Sequence, residues 1–134
     1  MFLKKRLISL IPLTFLLLTA AACNSPSRQA DSSSQSACKT SSGTATVLLK
    51  DGSFDPPIIS VKQCTKVVFQ NAGQQPHWPA SDLHPTHGIY PEFDPQQNID
   101  PGQSWSFIFD RVGNWKCHDH LNPSVRCEVD VTQS

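Results

Sequence analysis

Short apolar runs, separated by Gly, Pro, Asn and Asp, fill the chain after residue 43, and no sustained helical repeat is present. Apolar and polar side chains alternate clearly in two of the runs, around Trp105 and around Val129. A period of two is typical of strands that bury one face. The predicted strands are Thr44–Lys50, Ile58–Lys62, Thr65–Asn71, Ser104–Phe109, Asn114–Cys117 and Arg126–Val131.

Turn residues punctuate these strands, as in Asp55-Pro56-Pro57 and Asp100-Pro101-Gly102. Short strands with such punctuation predict an all-β Greek-key β-sandwich over residues 44–134. The longest insert, Ala72–Gln103, contains three of the five histidines. A long loop on a small β-scaffold is more often functional than accidental, and a short helix is expected within it.

The N-terminal segment has the features of an export signal. Lys4-Lys5-Arg6 is basic, Leu7–Leu18 is apolar but too short for a permanent membrane span, and small residues precede Cys23. Residues 1–22 are similar to a bacterial lipoprotein signal, which implies that Cys23 is lipidated and becomes the new N-terminus. The expected location is the cell envelope, on the periplasmic or extracellular face, with membrane contact through the lipid anchor only.

A Ser-rich tether and a mildly acidic charge follow from the composition. Residues 24–43 contain eight Ser in twenty positions and almost nothing apolar, so residues 23–43 are expected to form a flexible leash. Without residues 1–22, the chain has eight Lys and Arg and eleven Asp and Glu, which gives a net charge of about −3. Nucleic-acid binding requires a basic face, so we expect no nucleic-acid partner.

All the histidines fall within the 44 residues from His77 to His120. Imidazole is the commonest metal-ligating side chain, so this clustering indicates a metal site before it indicates acid–base catalysis. The segment Cys117-His118-Asp119-His120 places a Cys-x-x-His motif where a predicted strand ends. Copper electron-transfer sites typically have one thiolate and two imidazoles as ligands. One histidine comes early in the chain, and the cysteine and the second histidine come from a late loop.

Three stretches resemble the cupredoxin family: residues 62–71 leading to His77, residues 101–107, and residues 113–123. The resemblance implies a copper cofactor bound by His77, Cys117 and His120, and single-electron transfer to a redox protein partner. His84, His87 and His118 are possible additional ligands. The family commonly has an axial Met shortly after the second histidine, but the only Met in this chain is Met1. A fourth ligand would then be a backbone oxygen, a glutamine, water or another histidine.

The cysteines keep a second interpretation open. The cupredoxin layout implies a Cys38–Cys64 disulfide at the end of the sandwich away from the metal, with Cys117 and Cys127 near the ligand loop. In an exported protein these last two are also candidates for a disulfide. In that case no thiolate is available, and the site becomes a cluster of imidazoles for copper or another divalent metal.

Three functions are compatible with these residues. Electron transfer follows from the Cys-x-x-His motif, whereas the excess of imidazoles favours a copper chaperone or buffer that exchanges metal with a copper-trafficking protein. A structural domain that recruits a protein partner is the third. We expect no enzymatic activity, because the chain shows a single candidate site and no recognisable nucleophile motif.

Overall fold

The computed structural model describes Cys38 and residues 40–134, and this part of the chain contains eight β-strands. They are β1 Gly43–Lys50, β2 Ser53–Asp55, β3 Ile58–Lys62, β4 Thr65–Asn71, β5 Pro79–Ser81, β6 Ser104–Phe109, β7 Gly113–Asp119 and β8 Asn122–Thr132. All the predicted strands are present, and the last two are longer than predicted. The export signal, Cys23 and most of the tether lie outside the described residues and stay predictions.

The strands form two four-stranded sheets. The first has the order β2-β1-β4-β6, with β1 parallel to β4, and the second has the order β3-β8-β7-β5, with β3 parallel to β8. The other neighbouring pairs are antiparallel. The prediction of an all-β sandwich is therefore confirmed.

The core lies between the sheets and contains alternate residues of the main strands. In β4, Val67 and Phe69 are fully buried, whereas Gln70 between Phe69 and Asn71 is exposed. In β8, Val129 and Val131 are buried in the same manner. Burying one face of each sheet against the other removes apolar area from water, which is the main stabilising contribution in a sandwich of this size.

The part of the insert that lies between β5 and β6 is held by aromatic side chains rather than by regular secondary structure. It is a succession of turns with an isolated bridge from Ile99 to His77. The expected short helix is absent from residues 72–103. Tyr90 and Phe93 bury their rings in the core, where Phe93 contacts Phe69 at a centroid distance of 5.3 Å. Buried aromatic rings and scattered backbone hydrogen bonds therefore fix the segment without regular secondary structure.

Two disulfides link described cysteines: Cys38–Cys64 and Cys117–Cys127. The first is the pair implied by the cupredoxin layout and connects the tether to the start of β4. The second joins residues that lie directly opposite each other on β7 and β8. No helix in the part of the chain that the structure describes is long and apolar enough to cross a membrane.

Candidate metal centre

Four histidines gather at one end of the second sheet. One ring nitrogen of each lies within 4.8 Å of the corresponding nitrogens of the others, and the four are His84, His87, His118 and His120. His118 is fully buried and His87 nearly so, whereas His84 is exposed. The cluster thus has a closed inner side and an open outer side.

Local backbone geometry explains how these residues meet. His118 is in β7, opposite Ala80 of β5, and the pairing between β7 and β8 shifts its register between His118 and Asp119. In a regular strand His118 and His120 would lie on one face. The chain turns after Asp119, and the ring centroids of His118 and His120 are 6.2 Å apart. His84 and His87 come from the insert, which follows β5 directly.

Two carboxylates orient the two innermost rings. His118 donates its Nδ1–H to Asp82 Oδ1 at 2.9 Å, and His87 donates its Nδ1–H to Asp94 Oδ2 at 2.7 Å. A carboxylate on one ring nitrogen fixes the tautomer, so the Nε2 atoms of both rings carry lone pairs directed away from the acids. This arrangement is typical of metal-ligating histidines.

The two outer rings face the lone pairs of the inner rings. His120 Nδ1 lies 2.9 Å from His87 Nε2, and His84 Nδ1 lies 3.3 Å from His118 Nε2. These contacts assign the hydrogen-bond direction: each outer Nδ1–H donates to an inner Nε2. An outer ring that ligates a metal through Nδ1 carries its proton on Nε2 instead, which changes its tautomer but not its charge.

The surroundings favour the neutral form of two of the imidazoles and the ionised form of one of the acids. Burial lowers the pKa of His118 and the pKa of His120 below the ordinary value for histidine. Burial opposes ionisation of Asp94, but hydrogen bonds from the Gln96 backbone N–H, His87 and Trp78 outweigh it and lower the pKa of Asp94. Neutral imidazoles are the form that binds a metal ion.

Cys117 corrects the expected ligand set. Its side chain faces the core and is disulfide-bonded to Cys127, while its neighbour His118 projects from the opposite face of β7. The two cysteines are cross-strand partners with a Cα–Cα distance of 4.8 Å, within the range that a disulfide requires. The sulfur is therefore no thiolate, which leaves imidazoles as the candidate ligands.

His77 also departs from the expected set, because it lies outside the four-histidine cluster. Its Nδ1 contacts Asp119 Oδ2 at 2.7 Å, and its backbone pairs with Ile99. The other oxygen of Asp119 accepts from the backbone N–H groups of Trp78 and Leu121. Of the three expected ligands, only His120 is in the cluster, where it joins the three residues named as possible additions.

From the sequence, the orienting carboxylates Asp82 and Asp94 were considered only as histidine partners in a hydrolytic dyad, which the lack of a nucleophile motif disfavours, and not as part of the metal site. Asp82 and Asp94 carried no motif, and their relation to the histidines depends on how the insert folds back on β7. Asp94 also accepts a hydrogen bond from Trp78 Nε1 at 2.8 Å, and the Trp78 ring lies 4.7 Å from that of His120. Both acids lie in the same stretch of chain as His84 and His87, and this proximity in sequence was the available signal.

The cluster fits a resident metal ion. The facing nitrogens are already within 4.8 Å of one another, and imidazole nitrogens ligate first-row metals at about 2.0–2.1 Å, so small movements of the rings suffice. Four imidazoles with two outer carboxylates suit copper or zinc better than calcium or magnesium, which prefer oxygen.

No protein-family model matches the chain, and no curated protein matches it. Several solved structures match the chain in fold. A purple cupredoxin from Nitrosopumilus maritimus has a TM-score of 0.58 at 19% identity, covering 66% of this chain and 99% of that one. An oxidised mutant of amicyanin has a TM-score of 0.57 at 21% identity, covering 66% and 82%. A mutant fern plastocyanin has a TM-score of 0.55 at 19% identity, covering 66% and 100%. The chain therefore has a cupredoxin-like fold.

Proposed function

We propose that the domain binds one copper ion through His84, His87, His118 and His120 and serves as a copper-binding protein of the cell envelope. The observation that carries the proposal is the convergence of the four ring nitrogens within 4.8 Å. Among divalent first-row metals, a nitrogen site of given geometry binds Cu(II) most tightly. Two amicyanin structures that this chain resembles in fold are described as Cu(I) forms.

The ligands and the residues around them have different roles in binding the ion. Asp82 and Asp94 fix the tautomers of His118 and His87, so that two nitrogens are aimed at the centre before a metal arrives. Arg126 donates to Asp82 at 2.8 Å and holds that carboxylate in place. His84, which is exposed, closes the outer side and is the ligand through which metal is exchanged with a partner.

This proposal favours a copper buffer or chaperone. A rigid set of imidazoles without a thiolate suits binding and release of Cu(II), and the implied partner is a copper-trafficking protein. A lipid anchor at Cys23 would keep the domain at the envelope. We assign no enzymatic activity.

Single-electron transfer is the second candidate. Bound copper would supply one-electron redox chemistry, and amicyanin and plastocyanin structures with this fold are described as oxidised and reduced. The Trp78 ring against His120 supports this candidate, because it is a conjugated group next to a ligand. A redox protein would then be the partner.

A Cu(II) titration of the full chain, followed by visible absorption and electron paramagnetic resonance, tests the proposal. We expect one tight equivalent with weak absorption, nitrogen hyperfine structure and no intense thiolate band. The double variant His84→Ala/His120→Ala is expected to lose the tight equivalent, whereas the matched control His77→Gln retains it. Intense colour that vanishes in Cys117→Ser would contradict the imidazole site.

The two candidate functions differ in the behaviour of Cu(I). A carrier binds Cu(I) and Cu(II) in similar geometry and exchanges electrons rapidly, so NMR lines broaden when the two forms are mixed. A Cu(II) buffer loses affinity on reduction. Measuring both affinities and the electron self-exchange rate separates them.

A further inference from the structure

His77 has a buried ring with one nitrogen satisfied and the other not. Its Nδ1–H donates to Asp119 at 2.7 Å, so the lone pair is on Nε2. The Nε2 atom is buried and has no hydrogen-bond partner among the described residues. Because nearly all buried polar groups are paired, an orphan of this kind requires an explanation.

A carboxylate faces this orphan nitrogen. Asp51 Oδ1 lies 3.4 Å from His77 Nε2, and the carboxylate is held by the backbone N–H groups of Gln74 and Gln75. The Gln75 hydrogen bond is the main cause of the lowered pKa of Asp51, since it favours the ionised form. An anionic oxygen opposite a lone pair is unfavourable unless something positive lies between them.

The spacing matches two ligands of one metal ion. Two atoms bound about 2.1 Å from a tetrahedral ion are about 3.4 Å apart. The space is also kept clear: a Cβ at residue 73 would collide with the Asp51 carboxylate and would lie 3.0 Å from His77 Nε2. Gly73 therefore leaves open the gap that any larger residue would fill.

The surroundings supply access and further oxygen atoms. His77 and Asp51 line a cavity of about 420 Å³, whose wall includes Gln75 and Asn122. The cavity is open enough for water to complete a coordination shell. The carboxylate of Asp119 on Nδ1 repeats the arrangement of Asp82 on His118 and of Asp94 on His87, in which the acid leaves Nε2 free for a metal.

We propose that His77 Nε2 and Asp51 Oδ1 form a second divalent-cation site, separate from the four-histidine centre and weaker than it. One nitrogen and one carboxylate oxygen, completed by water, suit a borderline cation such as Zn(II). The proposal does not depend on copper at the four-histidine centre. The competing arrangement is a protonated His77 that bridges Asp51 and Asp119 as an ion pair.

Titration of the full chain with Zn(II) tests the site, with calorimetry for the stoichiometry and NMR of the His77 ring nitrogens for the location. We expect two equivalents, the weaker of which shifts the His77 Nε2 resonance. Asp51→Asn and Gly73→Ala are each expected to weaken that equivalent by more than about tenfold. Asp100→Asn, an exposed carboxylate with the same charge change, is the matched control and is expected to bind both equivalents.

The double variant His84→Ala/His120→Ala keeps the two proposals apart. If it loses the tight equivalent and retains the weaker one at His77, both sites are supported. If it binds no Zn(II) and the His77 ring is protonated at pH 7, the second site is overturned and the ion pair is correct. If the unmodified chain binds one equivalent of Zn(II) and only Asp51→Asn abolishes it, the second site is supported and the four-histidine centre is rejected.

Gly73→Ala is informative only if the variant folds. Asp51→Asn tests the second site without it.

Discussion

The two halves of the segment that follows β5 have opposite environments. His84 and His87 join the polar histidine cluster, whereas Tyr90 and Phe93, a few residues later, are 1% and 0% exposed in the apolar core. The halves are connected at Ser81, whose hydroxyl contacts the backbone oxygens of both His87 and Tyr90. The aromatic half is an anchor and the histidine half is the part that it positions.

The difference explains how a segment without regular structure can hold a metal centre. Ordering such a segment costs conformational entropy. Burial of two aromatic rings counters part of that cost, because each removes a large apolar area from water. The histidines are therefore positioned by side chains that never touch the metal site.

Truncating the anchor is expected to have the largest effect. Phe93 contacts several aromatic rings, including those of Phe69 and Phe109, so Phe93→Ala leaves a cavity in the core. We expect a loss of about 3–5 kcal/mol in the free energy of unfolding, measured with urea, and weaker copper binding as the segment loosens. Ile108→Ala, a partly exposed control on β6, should change stability much less. Full copper affinity in folded Phe93→Ala would disprove the anchoring role.

Removing a ligand should affect binding more than folding. We expect His87→Ala to lower copper affinity by more than about 100-fold, which exceeds the usual effect of an outer-shell residue. Competition with a chelator of known affinity measures this loss, and urea unfolding of the metal-free variant measures stability. A large fall in stability with unchanged affinity would reverse the assignment of the two halves.

The orienting acid should have an intermediate effect. Asp94→Asn retains the size of the side chain but replaces the oxygen that accepts from His87, and we expect copper affinity to fall about 10- to 100-fold. Asp100→Asn is the control for charge. Equal affinities in the two variants would show that Asp94 does not orient the ring.

Removing the Tyr90 hydroxyl is expected to have the smallest effect, and the quantity that it changes is the free energy of unfolding. Burial is the main cause of the raised pKa of Tyr90, and a hydrogen bond to Asp110 adds to it. A raised pKa means that the neutral phenol is preferred in the folded state, so its contribution is complete below pH 10 and declines as the pH rises further. We expect Tyr90→Phe to lose about 1 kcal/mol at pH 7. Unfolding at several pH values should show this difference shrinking above pH 10, and a constant difference would contradict it.

Alternation and turn residues were sufficient to predict the main strands, because one face of each is buried against the other sheet. The two short strands were not predictable in this way. Pro79–Ser81 is buried along its whole length, so its side chains do not alternate, and three residues are too few to show a period. Its pairing with β7 depends on an insert whose path is set by distant aromatic contacts.

The site was predictable in kind but not in membership. The concentration of histidines indicated a metal, yet His77 was expected in the centre and lies outside it, while the three additional histidines joined His120. Cys117 was undecided between thiolate and disulfide, because the register of β7 against β8 was unknown. Once that register places Cys117 opposite Cys127, the disulfide is the local consequence.

The sequence by itself determined the strand pattern, the concentration of imidazoles in one stretch of chain, and the impossibility of an axial Met beyond Met1. Tertiary structure decided which nitrogens converge, which carboxylate orients each ring, and which cysteines pair. The physical reason is range: strand alternation arises from contacts that recur every second residue, whereas a metal centre requires atoms from remote segments to meet within a few ångströms. That meeting is set by packing of the insert against the sheets.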